Sequence, residues 1–208
     1  MRHCLKALLF IGSYTYAGDW VVTEGGLSPN KKLAVAVFPQ KSEFIDEADD
    51  TVLLVDQTTG SKVGPLKEVS FSGGTWGKTT TNVNCIWSAD SSLLIVNFRT
   101  GRLMHSSQIY QIQGRRAIPL TLPDASKHPK GKVLEVLGHS ANPGSEISLT
   151  KEGTILERVW GYMPKEGHFD EDYSKYGLKG LEGELLFHYN IDKQGQVHLN
   201  DITVPGEP

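Results

Sequence analysis

Leu27-Ser28-Pro29-Asn30-Lys31-Lys32 is a polar turn, and the apolar run Leu33 to Phe38 follows it without a break. The same pattern returns twice. Trp87-Ser88-Ala89-Asp90-Ser91-Ser92 leads into Leu93 to Phe98, and Leu149-Thr150-Lys151-Glu152-Gly153-Thr154 leads into Ile155 to Trp160. Each time a hydroxyl residue opens the turn, and an aromatic closes the run ten residues later, at Phe38, Phe98 and Trp160. Self-similarity of this kind marks a supersecondary unit that cannot bury its own apolar face and therefore stacks on its neighbours.

Each copy continues through a connector into a second apolar run and a glycine turn. These are Thr51 to Val55 before Asp56-Gln57-Thr58-Thr59-Gly60, Gln108 to Ile112 before Gln113-Gly114, and Glu184 to Tyr189 before Asn190 to Gly195. Glycine after Asx or Gln supplies the positive φ of a tight hairpin. A last run follows at Lys62 to Val69, Ala117 to Leu122 and Gln196 to Val204, and short first strands are expected near Trp20 to Thr23, Thr81 to Ile86 and Ser145 to Ser148. The expected fold is all-β, with three antiparallel four-stranded meanders forming propeller-like blades over about 20–70, 81–122 and 145–204. In this register Leu33, Leu93 and Ile155 are equivalent, as are Phe38, Phe98 and Trp160.

The Ser-Pro-Asn-Lys-Lys and Trp-Ser-Ala-Asp-Ser-Ser turns, each ahead of an apolar strand, resemble the WD-like repeat of TolB-type β-propellers; the Asp56 to Gly60 turn adds to the likeness. The resemblance covers residues 20 to 204 and implies blades with a binding or scaffolding role. It brings no catalytic residues. Three copies are fewer than the roughly four to eight blades of closed propellers. That leaves an open arc, a half-ring that pairs with a second copy, or a β-sandwich built from the same hairpins.

Arg2, His3 and Lys6 precede the apolar stretch Ala7 to Ala17, the pattern of a secretory signal. The stretch is too short to cross a bilayer, which takes roughly 20 apolar residues. The expected organisation is a signal peptide at 1–17 and one domain at 18–208, in a periplasmic or secreted protein. A buried first strand is the other reading of the same residues. Cys4 falls in the signal, so Cys85 is left without an intrachain partner and reads as an inert core thiol. The formal charge is −3, and no basic run exceeds Lys31-Lys32 or Arg115-Arg116, which argues against nucleic acid.

Three segments imitate catalytic or ligand-binding motifs. Ser72 to Thr79 is close to a phosphate-binding loop, but serine stands at the first required glycine and β-branched residues follow where a helix is needed. Val136 to Asn142 has the outline of a nucleophile elbow around Ser140, without its closing glycine and with Pro143 next. Ser140 with His168 or His188 would make a secreted hydrolase or carbohydrate-active enzyme, the alternative to a non-catalytic function. The connector Gly161 to Gly183 crowds Asp170, Glu171 and Asp172, yet lacks the calcium-loop spacing. No metal or cofactor is expected.

The expectation is therefore an exported binding or scaffolding protein whose partner is another protein, a homodimer included. The connectors 39–50, 99–107 and 161–183 should share one face of the blades. The third carries the interface-type residues Tyr162, His168, Phe169, Asp170, Asp172, Tyr173 and Tyr176, and is the expected contact surface. Expressed with its native N-terminus, the protein should be found outside the cytoplasm and begin near Gly18. N-terminal sequencing checks this, and residues 1–17 retained on the soluble protein would refute it.

Overall fold

The computed structural model describes residues 20–38, 51–69, 82–100, 105–128, 141–162 and 182–205. Within them the chain is all-β. Blade one comprises β1 (Val21–Leu27), β2 (Leu33–Phe38), β3 (Thr51–Asp56) and β4 (Ser61–Pro65). Blade two comprises β5 (Val83–Trp87), β6 (Leu93–Arg99), β7 (His105–Gln113) and β8 (Arg116–Leu120), and a 3-10 turn at Ala125–Lys127 follows it. Blade three comprises β9 (Ala141–Leu149), β10 (Ile155–Tyr162), β11 (Glu182–Ile191) and β12 (Val197–Thr203). Each blade is an antiparallel meander. Blades one and two share an eight-stranded sheet in the order β4-β3-β2-β1-β5-β6-β7-β8, and blade three forms a second sheet, β12-β11-β10-β9.

The blades stack face to face. Leu33, Val35, Val37, Val52 and Leu54 of blade one meet Cys85, Leu94, Val96, Phe98 and Tyr110 of blade two. On its other face blade two presents Leu93, Ile95 and Ile109 to Ile147, Ile155, Leu185, Phe187 and Tyr189 of blade three. Strand alternation explains the division, since odd and even residues of β6 point to opposite sides. A strand covered on both sides reads as a continuous apolar run, and Leu93 to Phe98 are all buried.

The third copy departs from the expected register by one residue. In the first two turns the N–H of Ser28 or Ser88 donates to the carbonyl of Leu33 or Leu93, whereas Thr150 closes onto Thr154. Gly153, at φ 86°, occupies the place taken by Lys31 at 58° and Ser91 at 63°, and the turn is one residue shorter after it. Pairing confirms the equivalence of Ala34, Leu94 and Ile155, which face Leu27, Trp87 and Leu149 across the first hairpin. The expected match of Leu33 and Leu93 with Ile155 is thereby corrected, as is that of Phe98 with Trp160. A shift of one residue moves a side chain to the opposite face. Ile155 therefore packs toward blade two, and Trp160 points away from that core layer and lies against Gly144, where a Cβ would come within 2.6 Å of the indole.

The other face of blade three is mixed, with Leu156 beside His188, Leu186 beside Arg158 and Trp160 beside Glu184. Arg158 pairs with Glu184 at 2.6 Å and lies over Trp160, while the His188 ring meets Thr203.

Two devices join the blades at their inner strands. Blades one and two meet in a single parallel bridge between Glu24 and Asn84. A bulge in β1 brings Gly25, at φ 64°, so close that a Cβ would sit 2.0 Å from the Cys85 carbonyl oxygen. Only glycine fits there. At the other seam the Asn97 side chain takes the place of a strand. Its Nδ2 donates to the Ile147 carbonyl at 2.8 Å, and its Oδ1 accepts from the Ile147 N–H at 2.9 Å and from Ser107 Oγ at 2.5 Å.

Two substitutions test this packing. Phe98→Ala should cost about 3–5 kcal/mol from lost transfer energy and the cavity left behind, since Phe98 is only 4% exposed. Asn97→Ala should cost about 1–3 kcal/mol for each Ile147 backbone group left buried without its partner. Denaturant unfolding measures both, and a loss below about 1 kcal/mol at either position would contradict the assigned burial.

Candidate functional site

The six described hairpin turns leave the blades at one end, opposite the ends of β2, β6 and β10, because each meander alternates its direction. Neighbouring turns belong to different blades, and the gaps between them are clefts. The larger lies between blades two and three, with a volume of about 590 Å³. Ile86, Leu93, Leu120, Leu149 and Ile191 form its apolar floor, and Trp87 is part of its wall. Asp90, Ser92, Gln111, Lys151 and Glu152 form the polar rim. A second cleft, of about 450 Å³, lies between blades one and two and includes Asn30, Asp56, Asp90 and Arg115.

The turn Ser88 to Ser92 separates the two clefts, and its geometry comes from its sequence. Ser88 Oγ donates to Asp90 Oδ1 at 2.6 Å, and the N–H and hydroxyl of Ser92 donate to the same carboxylate. Asn30 performs the same task in blade one, accepting from Ser28 Oγ and from the Lys32 N–H. Short polar side chains favour such turns because they satisfy nearby backbone donors. The turn also bridges the blades, as Ser91 Oγ accepts the Asn30 N–H at 3.1 Å. Beside it the Trp87 indole N–H donates to the Gly26 carbonyl.

Asp56, Asp90 and Asp192, in the turns of this end, are held in the charged form. The Ser88 hydroxyl, followed by the Ser92 amide, keeps Asp90 below its ordinary value. Asp56 is lowered chiefly by the Thr58 hydroxyl and carries an ion pair to Arg115 at 3.1 Å. Asp192 is lowered by His198, whose Nε2 lies 2.8 Å away. A carboxylate tuned downward is a poor proton donor near neutral pH and a good fixed charge. The groups pushed upward lie in the seams instead: burial raises the Cys85 thiol to about 12 and also raises Glu157 and Tyr189. Among the described residues no group of three or more His, Cys, Asp or Glu stands close enough to hold a metal ion.

The residues singled out in the sequence fall elsewhere. Ser140, His168, Phe169, Asp170, Asp172, Tyr173 and Tyr176 lie outside the described residues, as do Ser72 to Thr79 and the proposed signal at 1–17. Tyr162 is the last residue of β10, paired with Glu182 at the end away from the turns. His188 sits in β11, with its Nε2 3.0 Å from Thr203 Oγ1 on the outer side of blade three. Directly after Ser140 the chain enters β9, a strand and not the helix a nucleophile elbow requires. Asn142 and Pro143 are thus strand residues, and Pro143 is tolerated because β9 is an edge strand of its sheet, bonded there to β10. The cleft residues Trp87, Asp90, Lys151 and Glu152 are visible in the repeat, where they read as turn chemistry alone.

No family model matches this chain, and no curated protein matches it. One similar solved structure comes from a structural and mechanistic study of two prolyl endopeptidases and the role of inter-domain dynamics in their catalysis and specificity. Its identity is 12%, with 92% of this chain and 40% of that chain covered and a TM-score of 0.35. The chain therefore spans well under two thirds of that protein's length, and a similarity of that score carries no conclusion about function.

Removing the main hydrogen-bond donor to Asp90 should release its carboxyl. Ser88→Ala is expected to move the Asp90 titration upward, toward the ordinary carboxylate range, as followed by carboxyl NMR. An unchanged titration would show that the Ser92 donors suffice.

Proposed function

We propose that this protein is an exported, non-catalytic binding or scaffolding protein that takes a protein partner, a second copy of itself included. The larger cleft carries the reading. Its apolar floor can accept a partner's side chain, and its rim offers ionised Asp90 beside Glu152 and Lys151. Clefts of this kind, apolar with a few placed polar groups, are ordinary recognition sites. The resemblance of the turns to WD-like repeats of TolB-type propellers supports the same role, and the character of residues 1–17 supports export. A rigid stack of blades holding variable turns is a scaffold suited to binding.

Placing a photo-crosslinking side chain at Lys151, on the cleft rim, should yield protein adducts from a native extract. The same probe at Asn200, exposed on β12, should yield none. Equal adducts at both positions would refute the cleft as the site. Capture that disappears when residues 164–178 are replaced by a Gly-Ser linker, with no adduct at Lys151, would move the contact to that connector.

A further inference from the structure

Glu157 is a carboxyl placed where the fold otherwise puts hydrocarbon. It lies in the middle of β10 and pairs with Ile147 on one side and Phe187 on the other, both members of the core between blades two and three. Ile155, two residues earlier on the same strand, belongs to that core, so alternation sends Glu157 into the same layer. Its Oε2 accepts the Tyr189 hydroxyl at 2.7 Å, and the Ser145 side chain supplies a second hydrogen bond.

Among the described residues no cation is among the groups that act on it; Arg99, on the same face of β6 as Asn97, acts on His105 instead. From β11 comes Tyr189, whose phenol is pushed well above its ordinary range and so stays protonated. From β9 comes Ser145, while Glu146 alternates to the outer side. Arg158 likewise points outward, to Glu184. Blade two contributes the uncharged Asn97 and Ser107 at the clasp on Ile147. It also contributes His105, whose ring meets Trp160 at 5.8 Å and whose burial disfavours its charged form. A carboxylate half-buried among hydroxyl partners, with no cation paired to it, is costly to keep charged.

We propose that the seam between blades two and three is pH-responsive through Glu157, whose carboxyl is enclosed by Tyr189 and Ser145 while blade three is docked and returns to water when the seam opens. In the opened seam the carboxyl returns to water and titrates near its usual 4.5. Docked, burial raises it, and the Tyr189 and Ser145 bonds only partly offset that. By linkage, the docked form binds one more proton between those two values. Seam stability is thus greatest below pH 4.5, falls as pH rises through the docked value, and is level above it. Since Leu149 at the end of β9 lines the larger cleft, loosening the seam shifts one of the cleft's walls.

The experiment is amide hydrogen exchange at Ile147, whose N–H bonds to Asn97 across the seam. It is followed in the full chain against pH and corrected for intrinsic rates. Protection in the wild type should fall with rising pH, by at most about tenfold per pH unit, within the window between 4.5 and the docked value, and level off above it. Glu157→Gln should make protection independent of pH, and Tyr189→Phe, by removing a bond that favours the anion, should carry the falling window to higher pH. A wild type as flat as Glu157→Gln would overturn the proposal. Carboxyl NMR of the wild-type protein decides the matter independently of any variant: a Glu157 titration at or below 4.5 overturns it, and one above supports it.

Discussion

Strand β6 is the constraint on which the rest of the arrangement depends. Its residues Leu93 to Phe98 are buried on both sides, so blade two must be covered on both faces at once. Each large apolar side chain so covered contributes roughly 1.5–3 kcal/mol. A single meander cannot supply that cover, because its own strands lie edge to edge in one layer. Blades one and three are placed where they are because these two faces need them. The outer face of blade three is mixed, with Arg158, Glu184 and His188 standing among Leu156, Trp160 and Leu186.

The two seams achieve the same close approach by different means. At the first, backbone meets backbone, and the absence of a side chain at Gly25 permits it. At the second, blade three starts a new sheet, and the Asn97 amide reproduces the donor and acceptor of a missing strand residue. Side-chain pairing of this sort satisfies the buried edge of β9 without continuing the sheet, meeting the need of any buried backbone group for a partner. The same seam holds Asn97, Ser107, Ser145, Glu157 and Tyr189, a polar chain inside an otherwise apolar layer. The first seam has one buried polar contact, Thr23 with Cys85, and others at the rim, through Asn30 with Ser91 and Asp56 with Arg115.

The turn residues have a double use. Asp90 locks its own hairpin through Ser88 and Ser92, and the same bonds keep it charged at the edge of both clefts. A residue selected by local backbone chemistry is thereby presented as a fixed charge at a blade junction. The candidate site is hard to find in the sequence for this reason. The turn motif is evident there, but only the stacking of blades brings Asp90 beside Glu152 and Lys151, which are distant along the chain. The connector carrying His168, Phe169 and Asp170 stands out by composition, a property that reports interface character without locating a site.

Local rules settled much of the fold from sequence alone: the strands, their antiparallel order, the hairpin turns and the three-fold repetition all come from alternation and turn chemistry acting over a few residues. The third copy shows where those rules stop. A turn one residue shorter leaves the aromatic ten positions after the hydroxyl, as in the other copies, yet exchanges the two faces of β10. Counting along the chain equates Trp160 with Phe98; hydrogen bonding equates Ile155 with Leu94. Tertiary structure alone also decided the Gly25 contact, the Asn97 clasp, the placing of Glu157 in the seam and the clefts. Each depends on two segments far apart in sequence arriving at the same place, and side-chain periodicity within one strand holds no record of what another strand will put against it.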